Sequence, residues 1–130
     1  MSDVFTPSMN DGKNIFVFGS NLRGRHGKGA AYEAFIHWGA TYGVGVGRIG
    51  QSYAIPTKDS PNEVLTLSEI TLYVDQFIEY AKAHPELTFL VTKIGCGLAG
   101  FHESQIAVLF LLAPPNCVLP EGWRRIVVTV

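Results

Sequence analysis

Two glycine-rich loops constrain this chain more than any other feature, because each follows an apolar run and leads into a helical pattern. The first run is Asn14–Phe18 (NIFVF), followed by the loop Gly19–Gly29 (GSNLRGRHGKG). Ala30–Trp38 then sets Ala30, Ala31, Ala34, Phe35 and Trp38 on one helical face, and Gly39 closes that helix. The second run is Thr88–Ile94 (TFLVTKI), followed by Gly95–Gly100 (GCGLAG). A helix over Glu103–Leu112 comes next, with Ile106, Ala107, Leu109 and Phe110 inward, and Pro114-Pro115 breaks it. Short β-branched and aromatic runs of this kind read as buried strands.

The rest of the chain fills in around these units. Met1–Lys13 is polar and reads as a loosely ordered entry segment. Thr41–Gly50 is a third glycine-rich stretch, Ser52–Ile55 is a strand stopped by Pro56, and Thr57–Val64 is a polar loop. Thr66-Leu67-Ser68-Glu69 is a capping box. It opens a helix with Leu67, Ile70, Val74, Phe77, Ile78 and Ala81 at helical spacing, ended by His84-Pro85. Arg125–Val130 reads as a closing strand. This alternation predicts one α/β domain over residues 1–130, with a mixed, mainly parallel sheet and helices on both faces. Ligands of such sheets sit outside the carboxyl ends of the strands, and both principal loops belong to that edge.

Composition narrows the classes. The chain has 130 residues, is 47% hydrophobic and carries a formal net charge of −1, so it has a core and no broad basic surface. The two cysteines, Cys96 and Cys117, make neither a disulfide framework nor a metal-spaced set, and no metal or cofactor is expected. Neither a secretory leader nor a membrane-spanning apolar run is present, which makes the cytoplasm the expected location and a membrane partner unexpected.

A glycine loop between strand and helix presents free backbone N–H groups, and with the helix N-terminus it makes an anion site. Two such loops on one edge suit the diphosphate of a nucleotide. Two familiar phosphate signatures fail on context. Gly24–Gly29 (GRHGKG) lacks the Ser or Thr that a P-loop needs after Lys28. Gly45–Gly50 (GVGRIG) fits GxGxxG but runs into a strand instead of opening a helix.

HGKGAA at His26–Ala31, YAIPTK at Tyr53–Lys58 and IGCGLAG at Ile94–Gly100, with a long helix between the last two, resemble macrodomains. The resemblance covers about Asn14–Leu112 and is strongest to the branch holding the DarG antitoxin macrodomain and the human terminal ADP-ribose glycohydrolase. The fuller form FGSNLRGRHGKGAA is also similar to phage and bacterial proteins. The resemblance implies a macrodomain-like three-layer α/β/α fold that binds ADP-ribose or a related nucleotide and removes ADP-ribose from nucleic acid or protein. It implies Lys58 as the catalytic residue, and His26, Gly27, Lys28 and Gly29 on the ribose side. Gly95, Cys96, Gly97, Leu98, Ala99 and Gly100 would wrap the diphosphate and distal ribose, with Asn21 beside that ribose. Ala99 stands where the human relative has a second catalytic aspartate. Asp3 is the sole echo of the family's adenine-holding aspartate.

The residues themselves leave alternatives open. Lys58 is either a solvated loop charge or, in a water-poor cleft, an amine able to attack the anomeric carbon of ADP-ribose. Cys96 reads as a small buried residue before it reads as a nucleophile, for which His102 is the nearest base in sequence. Phe101 and Tyr53 are core residues or a wall against ribose or base. Arg23, Arg25, His26 and Lys28 form the local basic cluster and could meet a nucleic-acid phosphate. Three functions therefore compete: an ADP-ribosyl hydrolase, a non-catalytic reader or sponge of ADP-ribose-derived signals, and a nucleic-acid-binding module.

Overall fold

A computed structural model describes residues 5–124. Asp3 and the expected strand Arg125–Val130 lie outside the described residues. The first strand, β1 (Asn14–Asn21), shows how the sequence makes the layers. Side chains alternate between the two sides of a strand. Ile15 and Val17 join the core formed with Tyr53, Ile55, Phe89 and Val91. Phe16 and Phe18 join a second core with Ala54 and Leu90 on the other side. Helix α2 (Leu67–Ala83) buries Ile70, Val74, Phe77, Ile78 and Ala81 in the first core. Helix α1 (Gly29–His37) contributes Ala34 to the second, where the adjoining Trp38 stacks on Phe16 at 5.1 Å. A sheet with apolar side chains on both faces must be covered on both, and the result is an α/β fold in three layers.

The remaining strands are β2 (Gly47–Ile49), β3 (Ser52–Ser60), β4 (Glu63–Val64), β5 (Thr88–Val91) and β6 (Cys117–Val118). Their order is β2-β3-β1-β5-β6, with β4 added on β3. The pairs β1–β3, β1–β5 and β5–β6 are parallel, whereas β2 and β4 run antiparallel to β3. The capping box of α2 forms as expected: Glu69 N–H donates to Thr66 Oγ1 at 3.2 Å, and Thr66 N–H donates to Glu69 Oε1 at 2.9 Å. No helix among the described residues is long and apolar enough to cross a membrane.

The structure departs from the sequence reading at several places. Pro56 does not stop β3, which continues to Ser60. The pairing with β1 passes from Ser20↔Pro56 to Asn21↔Lys58, so Thr57 is an extra residue, and the strand bulges at it. The expected polar loop is instead a short hairpin, with Lys58 opposite Val64. Strand β5 ends at Val91 because the N–H and the hydroxyl of Thr92 both turn onto the Val17 carbonyl. The helix expected over Glu103–Leu112 divides into α3 (Glu103–Ala107) and a 3-10 turn over Val108–Phe110. Phe35 faces outward, 38% exposed, and meets Tyr42 edge-on at 4.7 Å. Entry residues 5–13 are not loose, since Phe5 and Met9 pack on the second core and Pro7–Met9 is a 3-10 turn.

Candidate functional site

Strands β1, β3 and β5 point their carboxyl ends at a cleft of about 950 Å³. That volume lies within the ~300–1,000 Å³ of small-molecule sites. The loop after β1 is shaped by Asn21. Its Nδ2 donates to the Arg25 carbonyl at 2.9 Å, and its Oδ1 accepts from the Arg25 N–H at 3.0 Å. This clasp closes the turn. Gly24 takes φ +70° inside it, and its carbonyl accepts from Gly43 N–H at 3.0 Å.

His26 is fully buried and lies beneath this loop, away from the cleft lining, which corrects its expected place at the ligand. Its Nε2 faces the carbonyls of Thr41 and Val44 at 2.9 and 3.1 Å, so this nitrogen carries the hydrogen. The ring meets Phe18 edge-on at 5.5 Å. The glycine stretch Thr41–Gly50 is therefore the seat of the first loop and not a phosphate site. His26→Ala takes the ring donor from both carbonyls, of which Thr41 O keeps the Val44 N–H, and should cost about 2 kcal/mol in urea unfolding. His26→Gln, which keeps a donor, should recover part of the loss.

The loop delivers the chain to α1 with Lys28 in extended conformation as N-cap, and no side chain caps this end. The first intrahelical bond is Tyr32 N–H to Lys28 O at 3.2 Å, so among the described residues the amides of Gly29, Ala30 and Ala31 at the cleft wall have no partner. The loop after β5 lines the same cleft. Cys96 N–H bonds Lys93 O, Gly100 N–H bonds Gly97 O, and Phe101 N–H bonds Gly95 O. Among the described residues no acceptor takes the amides of Gly97, Leu98 and Ala99, and all three residues line the cleft. Gly95, at φ +77°, is packed against Ile106 and leaves little room for a side chain.

Of the remaining candidates, Asn21, Gly27, Lys28, Gly29, Gly95 and Cys96 also line the cleft. Gly100 and Phe101 do not. Gly100 makes the turn at φ +83°, and Phe101 packs back onto the first core. The Cys96 thiol donates to Ile94 O at 3.5 Å, and among the described residues no histidine is hydrogen-bonded to it. Burial, with the Glu103 carboxylate adding to it, pushes this thiol up from its ordinary value, against a nucleophilic role. Lys58 lines the cleft directly after the Thr57 bulge, and its Nζ donates to the Pro61 carbonyl at 3.0 Å.

Lys93 was not singled out from the sequence, yet it lines the same cleft. Its Nζ lies 3.3 Å from Glu103, whose other oxygen accepts from Trp123 Nε1–H at 2.9 Å. The Trp123 hydrogen bond, then Lys93, holds the Glu103 carboxyl below its ordinary value. A signal was present: a Thr-Lys pair, Thr92-Lys93, lies near the end of an apolar run as Thr57-Lys58 does.

Among the described residues four cations, Arg25, Lys28, Lys58 and Lys93, line the cleft with a single carboxylate, Glu33. The chain as a whole is at −1, so positive charge is concentrated here against the average. The arrangement can bind an extended anion, with cations around it and unpaired amides on two sides. Among the described residues no group of His, Cys, Asp and Glu could hold a metal ion. Comparison with protein-family models, with curated proteins and with solved structures found no match.

Proposed function

We propose that this protein binds ADP-ribose or a related nucleotide, its diphosphate lying between the α1 N-terminus and the Gly97–Ala99 amides. The observation that carries the reading is that two unpaired amide sets, from the α1 N-terminus and the loop after β5, belong to residues lining one cleft with four cations. Backbone N–H groups and a helix N-terminus recognise phosphate oxygens, and flanking cations draw the ligand in. The choice of ADP-ribose rests on the macrodomain resemblance, whose three motifs all contribute residues to the cleft. A thermal-shift series with ADP-ribose, NAD, AMP and cyclic ADP-ribose tests it. ADP-ribose at about 100 times its Kd should add about 2.7 kcal/mol of stability. No shift with any of the four would remove the reading.

Catalysis is the extension of this proposal. The Lys58 amine would attack the anomeric carbon of the distal ribose while the modified group leaves with the bonding pair, and water would then release the lysine. Lys58→Ala should abolish release of ADP-ribose from modified DNA or protein while keeping binding within about tenfold. Equal release by both proteins would sink the lysine mechanism. One observation favours the non-catalytic reader: Lys58 Nζ is engaged by the Pro61 carbonyl, and neither its contacts nor those of Cys96 supply an acid–base partner. Release by neither protein, with binding intact, is the result that reading expects.

A further inference from the structure

We propose a second site beside the cleft, a surface of exposed aromatic rings and unpaired cations that binds single-stranded nucleic acid. Tyr32 and Phe35 lie on the outer face of α1, 50% and 38% exposed, and Tyr42 beside Phe35 is 47% exposed. Phe35 and Tyr42 meet edge-on at 4.7 Å, which leaves ring surface open to solvent. Large apolar side chains exposed together mark an interaction surface. The patch is continuous with the basic loop: a side-chain carbon placed at Gly27 would meet the Tyr42 hydroxyl at 3.8 Å. Arg23, Arg25 and Lys28 on that loop are exposed, and among the described residues no carboxylate pairs with any of them.

This pairing of groups chooses the partner. Three unpaired cations argue against a second copy of the same face, because like charges would meet. They fit a phosphodiester backbone. The rings fit bases, which stack on aromatic side chains only when unpaired from a complementary strand. A duplex hides its base faces and would engage the cations alone. The surface shares Arg25 and Lys28 with the cleft, whereas Arg23, Tyr32, Phe35 and Tyr42 do not line it and can be changed without touching the diphosphate site.

Fluorescence anisotropy with a labelled oligo-dT of about 12 nucleotides tests the site. Binding should weaken with salt, and Arg23→Ala should lower the slope of log K against log salt by about 0.7. Tyr32→Ala or Phe35→Ala should weaken binding roughly 5- to 100-fold, and Tyr32→Phe should restore it. The ADP-ribose thermal shift should be unchanged in all these variants, which separates failure here from failure of the cleft. Three results would overturn the proposal: no binding to oligo-dT, equal binding to a matched duplex or to poly-glutamate, or a dimer in sedimentation that Phe35→Ala dissociates.

Discussion

Lys28→Asp should make the protein more stable and its ligand binding at least about 100-fold weaker. Lys28 already has the extended backbone of an N-cap, but its side chain accepts nothing from the first turn. An aspartate there can accept from the Ala30 or Ala31 N–H, which is worth about 1 kcal/mol, and its charge suits the helix dipole. The same carboxylate would occupy the amides assigned to the diphosphate and remove one of the four cleft cations. Like charges brought together cost several kcal/mol in binding, which is the source of the 100-fold figure. Lys28→Ser separates the two parts, because serine caps without a charge. It should keep the capping part of the gain in stability and lose less affinity. Urea unfolding and ligand titration on the same three proteins check the signs. Undiminished affinity in Lys28→Asp would show that the α1 N-terminus does not hold the anion.

Gly45→Ala should cost about 3 kcal/mol or more and take ligand binding with it. A Cβ at Gly45 would sit inside the contact radius of the Asn21 carbonyl oxygen and press on the Leu22 backbone. Both obstacles are main chain, so neither can swing aside. The Gly45 carbonyl also accepts the buried Ser20 hydroxyl, which ties the two segments together. Asn21 opens the first loop through its clasp on Arg25, so displacing it should disturb the cleft lip and the fold alike. Gly97→Ala is the matched control. Nothing lies within 4 Å of its added carbon, and its stability should stay within about 0.5 kcal/mol of wild type. A midpoint for Gly45→Ala equal to that of Gly97→Ala would refute the close packing of the two segments.

Much of the fold was legible because its signals are local. The alternation of Ile15 and Val17 with Phe16 and Phe18, the Thr66–Glu69 capping box and the α2 spacing are each contained within a few residues. What was missed depends on partners far along the chain. Pro56 sits inside β3 because neighbouring β1 holds the strand through a bulge, and local propensity cannot report a neighbour. Strand β6 is two residues long and exists through its pairing with β5.

The candidate site divides along the same line. The sequence alone was sufficient to set two glycine loops at the carboxyl ends of parallel strands, because strand–loop–helix order decides which edge a loop occupies. It also separated the GxGxxG stretch from a nucleotide fingerprint, since that stretch runs into the strand at Ser52–Ile55 where the fingerprint would need a helix. Only the tertiary structure decided which glycines and cations serve the cleft. His26 left the site because its ring fills the space between the first loop and Thr41–Val44. Lys93 joined it because β5 ends early and turns that residue to the lip. A backbone amide becomes a binding group only when nothing else in the folded chain reaches it. That is a property of the whole packing and is not written in any one segment.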